Sequence, residues 1–163
     1  VGYKQYKNLG LYLNDTTDYR RFNVLYDDVN SVNIHGSIKF TAVKNLEVGG
    51  TIDVNTYAPD SLAAAWHLPN LEMNVNAAYK MLDDKLTLKG ELYSAGGITY
   101  LDESNNELNT GALFDLNLGA TYQVSDKFGV FLDLNNVTNQ KFQRWNNYPN
   151  FGFNMMAGFT LKF

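Results

Sequence analysis

The chain alternates. From end to end, apolar side chains are followed by polar or small ones, and the last thirteen residues, FGFNMMAGFTLKF (151–163), repeat that period of two almost without error before stopping on Phe163. Successive side chains of a strand point to opposite faces of a sheet, so a sustained period of two demands strands rather than helices. Helical periodicity is nearly absent. Tyrosine (11), phenylalanine (10), asparagine, threonine and glycine are plentiful and proline is scarce (3), a mixture that suits strands and turns.

Written out, the alternation gives strands near 3–13, 20–27, 31–42, 46–57, 68–81, 85–98, 112–123, 127–136 and 151–163. Short turns are expected over 15–18, 43–45, 82–84 and 124–126, and longer loops over 28–30, 58–67, 99–111 and 137–150. Short and long connections take turns along the chain. That is the order of an up-and-down antiparallel meander with turns at one rim and loops at the other, as in bacterial outer-membrane barrels.

The faces differ in kind. One carries Ile34, Ile38, Phe40, Val48, Ile52, Val75, Leu88, Leu118, Leu132, Phe159, Leu161 and many like them, and no charge. The other takes Lys39, Glu47, Asp53, Glu72, Lys80, Lys89, Glu91, Asp115, Asp133 and Lys162 among Asn, Thr and Gly. A lipid-facing surface requires this segregation, because a charge at mid-bilayer costs about 2–4 kcal/mol. Alternation alone also fits a soluble lipocalin-like barrel with its apolar face inward. Three details favour lipid. Phe40, Tyr79, Tyr122, Phe128 and Phe163 gather near the short turns, as an interfacial girdle would. The polar face is rich in Asn, Thr and Gly rather than in the Lys and Glu of soluble sheets. A strand ending in Phe is an aggregation hazard in water but a closure element in a membrane barrel.

Composition closes other routes. The 163 residues suit one domain, here a single barrel segment over 1–163, and the absence of cysteine removes disulfides and thiol chemistry. A net charge of −4 without a basic run argues against nucleic acid as a partner. No stretch reaches the roughly eighteen apolar residues of a membrane helix.

The C-terminal segment NNVTNQKFQRWNNYPNFGFNMMAGFTLKF (135–163) resembles the end of TonB-dependent outer-membrane receptors: an Asn-rich turn, an aromatic loop with Pro and Gly, and an alternating last strand ending in Phe. Asn136, Thr138, Asn139, Phe142, Trp145, Tyr148, Pro149, Gly152, Gly158 and Phe163 carry the match. AWHLPN (65–70), LYDDVN (25–30) and YKNLGLYLND (6–15) are similar to segments of the same receptors. The resemblance implies an all-β, antiparallel transmembrane barrel or part of one, with roughly eight to ten strands here against 22 in a whole receptor. It implies the C-terminal portion of a larger barrel, without plug or TonB box. The function implied is uptake of a nutrient such as a metal chelate or oligosaccharide. Outer-membrane lipid, the barrel assembly machinery, the remaining barrel and plug, and a TonB-type coupling protein would be its partners. Phe159, Leu161 and Phe163 would form the last-strand assembly signal. A complete small outer-membrane barrel with a structural or adhesive role, and a soluble ligand-binding barrel, are the alternatives.

Candidate sites are few. Trp66, Trp145 and Tyr148 lie by the long-loop rim, where aromatics can stack on a sugar or siderophore-like ligand or form an outer belt. His35, Ser37 and Asp53 share the polar face, but no motif surrounds Ser37 and no catalytic residue is assigned. With two histidines a zinc cluster is not expected, His67 is read as structural, and no metal or cofactor is assigned. Lys80, Lys89, Glu72 and Glu91 are expected to pair across neighbouring strands. Asp102, Glu103 and Glu107 are read as a solvated outer loop, with calcium or ligand capture the alternative. Sequons at Asn14 and Asn136 are what chance gives an Asn-rich chain.

Overall fold

A computed structural model describes residues 1–15 and 17–163. The turn expected over 15–18 and the first sequon both include Thr16, which lies outside the described residues. Eight strands form one antiparallel sheet in plain sequence order: β1 (Gly2–Asn14), β2 (Phe22–Phe40), β3 (Leu46–Pro59), β4 (Leu71–Met81), β5 (Leu86–Gly96), β8 (Leu113–Gln123), β9 (Phe128–Asn135) and β10 (Asn154–Leu161). Two short strands, β6 (Thr99–Leu101) and β7 (Glu107–Asn109), make a separate hairpin inside the β5–β8 connection. The sheet is open, with β1 at one edge and β10 at the other.

Register confirms the two faces. Phe40 lies opposite Val48, Ile52 opposite Met73, Val75 opposite Leu92, Leu118 opposite Leu134 and Val130 opposite Phe159. Each pair sits apolar on apolar, as a strand period of two requires. The large side chains of this face remain uncovered, with Ile38 at 71 %, Phe159 at 65 % and Met155 at 64 % of full exposure. Across the other face run His35–Asp53–Glu72 and Lys39–Gly49–Asn76–Glu91–Asn117.

Two expectations change. The loop expected over 28–30 does not exist: β2 is one strand of 19 residues. Asp28 and Asn30 read as a turn because they interrupt the alternation, yet Asn30 is laddered to Gln5 of β1 and Ala58 of β3, and the Asp28 carbonyl accepts from the Asp60 amide at 2.9 Å. With that loop gone, the β1–β2 connection moves from the short-turn rim to the long-loop rim, and the alternation of short and long connections survives with eight strands rather than nine. The last strand is also shorter than 151–163. Asn150, Phe151 and Gly152 belong to the loop, while the Lys162 amide continues the ladder by donating to the Lys127 carbonyl at 2.9 Å.

A bulge tunes β1. Between Tyr6 and Leu9 the strand gains one residue against β2, with Asn8 at φ 55°. Asp28 holds the irregularity, accepting from Asn8 N at 2.8 Å and from Lys7 Nζ at 2.6 Å. The extra residue reverses the phase and puts Leu9, Leu11 and Leu13 on the polar-face side, where Leu11 is 1 % exposed beneath the outer connections.

Candidate functional site

The four long-rim connections converge over the polar face. Asp27 accepts from Ser61 N (2.9 Å) and Leu62 N (2.8 Å), fastening the β3–β4 connection to β2. Asn146 Nδ2 donates to Asn14 Oδ1 and to the Leu101 carbonyl, both at 3.4 Å, so the β9–β10 connection touches β1 and the β6–β7 hairpin together. Asn147 Nδ2 donates to the Tyr19 carbonyl at 3.2 Å, and the Tyr148 hydroxyl donates to the Arg20 carbonyl. Inside the last connection, Asn136 is 3 % exposed, and its Nδ2 donates to the carbonyls of Gln140 (2.7 Å) and Phe151 (2.8 Å), holding both ends of the loop. A small apolar core of Ala95, Ile98 and Leu113, with Tyr93 and Phe142 against it, lies under this cap.

His67 is the hub. It is fully buried, at φ 61°, and its amide donates to the Thr99 carbonyl at 3.0 Å. Its Nδ1 donates to the Tyr12 carbonyl at 2.8 Å, which fixes the proton there and leaves Nε2 buried without a partner among the described residues. Burial disfavours the charged ring and holds its pKa below the ordinary value. The ring stacks on Trp145 (centroids 5.2 Å, 24°) and meets the edge of Phe22 at 5.2 Å. Tyr12 meets Trp145 edge-on at 5.3 Å, and Phe22 lies 5.4 Å from Tyr148. The sequence reading of His67 as structural describes this placement.

The aromatic candidates therefore separate. Trp145 and Tyr148 are brought together, with Tyr148 half exposed, while Trp66 is 4 % exposed. At the far rim Phe40, Tyr79, Tyr122 and Phe128 sit at the short-turn ends of their strands, Phe128 lies 6.3 Å from Phe159, and Phe163 is fully exposed. Leu161 pairs with Phe128 and Phe159 with Val130.

Polar-face charges partner otherwise than expected. Glu72 accepts from Tyr93 Oη at 2.7 Å and lies 3.8 Å from Arg144 of the last connection. Glu91 accepts from Asn74 Nδ2 at 2.8 Å. Lys89 and Glu91 do not pair across strands because register sets Lys89 beside Ala78 and Gly119, and Glu91 beside Asn76 and Asn117. His35 Nδ1 approaches Asp53 Oδ1 at 2.9 Å, while Ser37 makes no side-chain hydrogen bond among the described residues. Asp102 spends its carboxylate on its own turn, accepting from the amides of Ser104 and Asn106 at 2.8 Å and from Asn106 Nδ2 at 3.1 Å. The Asn106 bonds hold its pKa below the usual range. Among the described residues no three His, Cys, Asp or Glu side chains converge as a metal site.

A cleft of about 520 Å³ opens between the foot of the β6–β7 hairpin and the β9–β10 connection, its lining including the carboxamides of Asn109, Gln140, Gln143, Asn146 and Asn147 together with Tyr100 and Thr110. Nothing in the sequence singles it out, since its two walls are about forty residues apart.

No family model matches the chain, and no curated protein matches it. Solved structures do. FpvA of Pseudomonas aeruginosa in complex with a heterologous pyoverdine and iron has 15 % identity and a TM-score of 0.73 over 96 % of this chain and 23 % of that one. The FpvAI–pyocin S2 complex has 14 % identity and a TM-score of 0.75 over 98 % and 24 %. The ferripyoverdine receptor of the outer membrane of P. aeruginosa bound to ferripyoverdine has 16 % identity and a TM-score of 0.68 over 86 % and 20 %. The chain thus spans about a quarter of the length of the structures it matches, and it has the fold of part of an outer-membrane receptor barrel.

Proposed function

We propose that this chain is wall and outer loops of a TonB-dependent receptor-like transport barrel in the bacterial outer membrane. The observation that carries the reading is the uncharged face of an eight-stranded meander whose large apolar side chains stay uncovered. In water such a surface would associate; against hydrocarbon it is the required one. The open edges at β1 and β10 would be paired by the remaining strands of the barrel. The polar face then lines the lumen, and the linked connections face the medium.

The wall performs no bond chemistry on this reading. His35 and Asp53 form a lumen pair, and Arg144 with Glu72 ties the outermost loop to the wall. Cargo would be a scarce nutrient such as a metal chelate or an oligosaccharide. Gating would fall to a plug and an inner-membrane coupling protein, with Phe159, Leu161 and Phe163 presented to the assembly machinery.

Cell fractionation combined with surface labelling tests the proposal. An epitope inserted between Glu103 and Asn106, at the tip of the β6–β7 hairpin, is expected to bind antibody on intact cells, with the protein in the outer-membrane fraction. Recovery as a soluble monomer without detergent, or labelling only after lysis, overturns it.

A further inference from the structure

We infer that the cleft between the β6–β7 hairpin and the β9–β10 connection is a binding site for a neutral glycan. The inference rests on the outward placement of this rim in the proposed barrel and names the class of molecule the rim receives. Its walls are built from side chains that are half used. Asn109 Oδ1 accepts from Thr99 Oγ1 at 3.1 Å, leaving its Nδ2 without an intramolecular partner among the described residues. Gln143 Oε1 accepts from the Asn147 amide at 2.7 Å and leaves its Nε2 in the same condition. Asn146 donates through Nδ2 to Asn14 Oδ1 and the Leu101 carbonyl, Asn147 through Nδ2 to the Tyr19 carbonyl, and both leave their Oδ1 atoms over. Thr110 Oγ1 is enclosed and has no partner among the described residues.

These four carboxamides are thus oriented by bonds within the protein and offer their other halves to the cleft. Two spare donors beside two spare acceptors is the complement of neighbouring hydroxyls, each of which both gives and takes a hydrogen bond. Tyr100 adds a ring with an apolar face and a polar edge, the kind of surface that packs against the C–H face of a pyranose. Charge narrows the class further. No carboxylate lines the cleft and Lys141 is its one cation among the described residues, so neither a polycation nor a densely anionic chelate is matched, the latter calling for clustered Arg or Lys.

The test uses the detergent-purified protein, produced from its own gene, with a panel of defined hexasaccharides (maltohexaose, cellohexaose, xylohexaose, chitohexaose) measured by calorimetry. At least one is expected to bind. Asn109→Asp, which keeps the acceptor to Thr99 but deletes the spare donor, and Tyr100→Ala are each expected to weaken it at least tenfold. Glu103→Ala, at the hairpin tip, is expected to leave binding unchanged. Heat-modifiable electrophoretic mobility verifies that each variant is folded. If none of the panel binds a protein that fractionates with the outer membrane and labels at its surface, the glycan site is overturned while the barrel reading stands. Binding indifferent to Asn109 and Tyr100, or a peptide or ferric chelate that binds with the Asn109 sensitivity, overturns it as well. Failure of the surface labelling itself would fall on the barrel reading instead.

Discussion

Single residues set how closely this wall closes on itself. Gly158 of β10 faces Phe131 of β9, and a Cβ there would stand 2.6 Å from the Phe131 Cζ. The ring covers the backbone where no side chain exists, so Gly158→Ala forces the ring aside. We expect a loss of about 1–3 kcal/mol, seen as a lower temperature for the loss of heat-modifiable mobility; an unchanged temperature would show the ring free to swing. His67 gives a second case. Its folded pKa lies below the ordinary value near 6.5, so the opened state takes up the proton first. The contribution of the neutral ring is complete above about pH 6.5 and is lost as pH falls from there through the depressed folded value. Because Trp145 stacks on that ring, tryptophan emission should change on acidification below about pH 6.5, and His67→Phe should abolish the transition. A transition that persists in the variant would assign it to another group.

Among elements, the strands were the legible part and the connections were not. Alternation reports which face a residue occupies, so Val75 and Thr121 were assignable to opposite faces from the sequence alone, and register bears this out. Val75→Arg, mid-strand on the lipid side, is expected to cost about 2–4 kcal/mol, whereas Thr121→Lys on the lumen side should cost far less. Denaturant titration in lipid vesicles measures both; equal costs would mean the faces are not in different solvents. The expected break at 28–30 failed for a physical reason. Polar residues on both faces signal a turn only where one face must be dry, and β2 continues past that region with Asp28 and Asn30 bonded to Lys7 and Tyr3. The convergence of the loops had no local signal at all, since Asn146 and Asn14 lie 132 residues apart. Trp145 and Tyr148 stood out as aromatics, but that they would close around His67 depends on three connections arriving together.

At the scale of the whole molecule, the open sheet is the dominant fact. Unpaired edges at β1 and β10 flank an apolar face, which together make the isolated chain prone to edge-to-edge association. Purified alone, residues 1–163 are expected to elute as large, polydisperse species without detergent and to form a discrete species only in detergent or lipid, as read by size-exclusion chromatography with light scattering. A sharp monomer in plain buffer would contradict the lipid-facing assignment.

The long strand β2 also serves as a depth gauge. From Phe40 up to Val32 its outward residues are oil-seeking; at Asn30 and Asp28 they turn to water, and from this level upward Val29 and, on the neighbouring β1, Leu11 are hidden on the opposite side. In the proposed barrel the shoreline of the bilayer therefore crosses this strand between Val32 and Asn30. What rises above it, roughly eight to ten residues of hairpin or about 30 Å of strand, would be a promontory standing in the medium, and whatever approached that barrel from outside would meet it first.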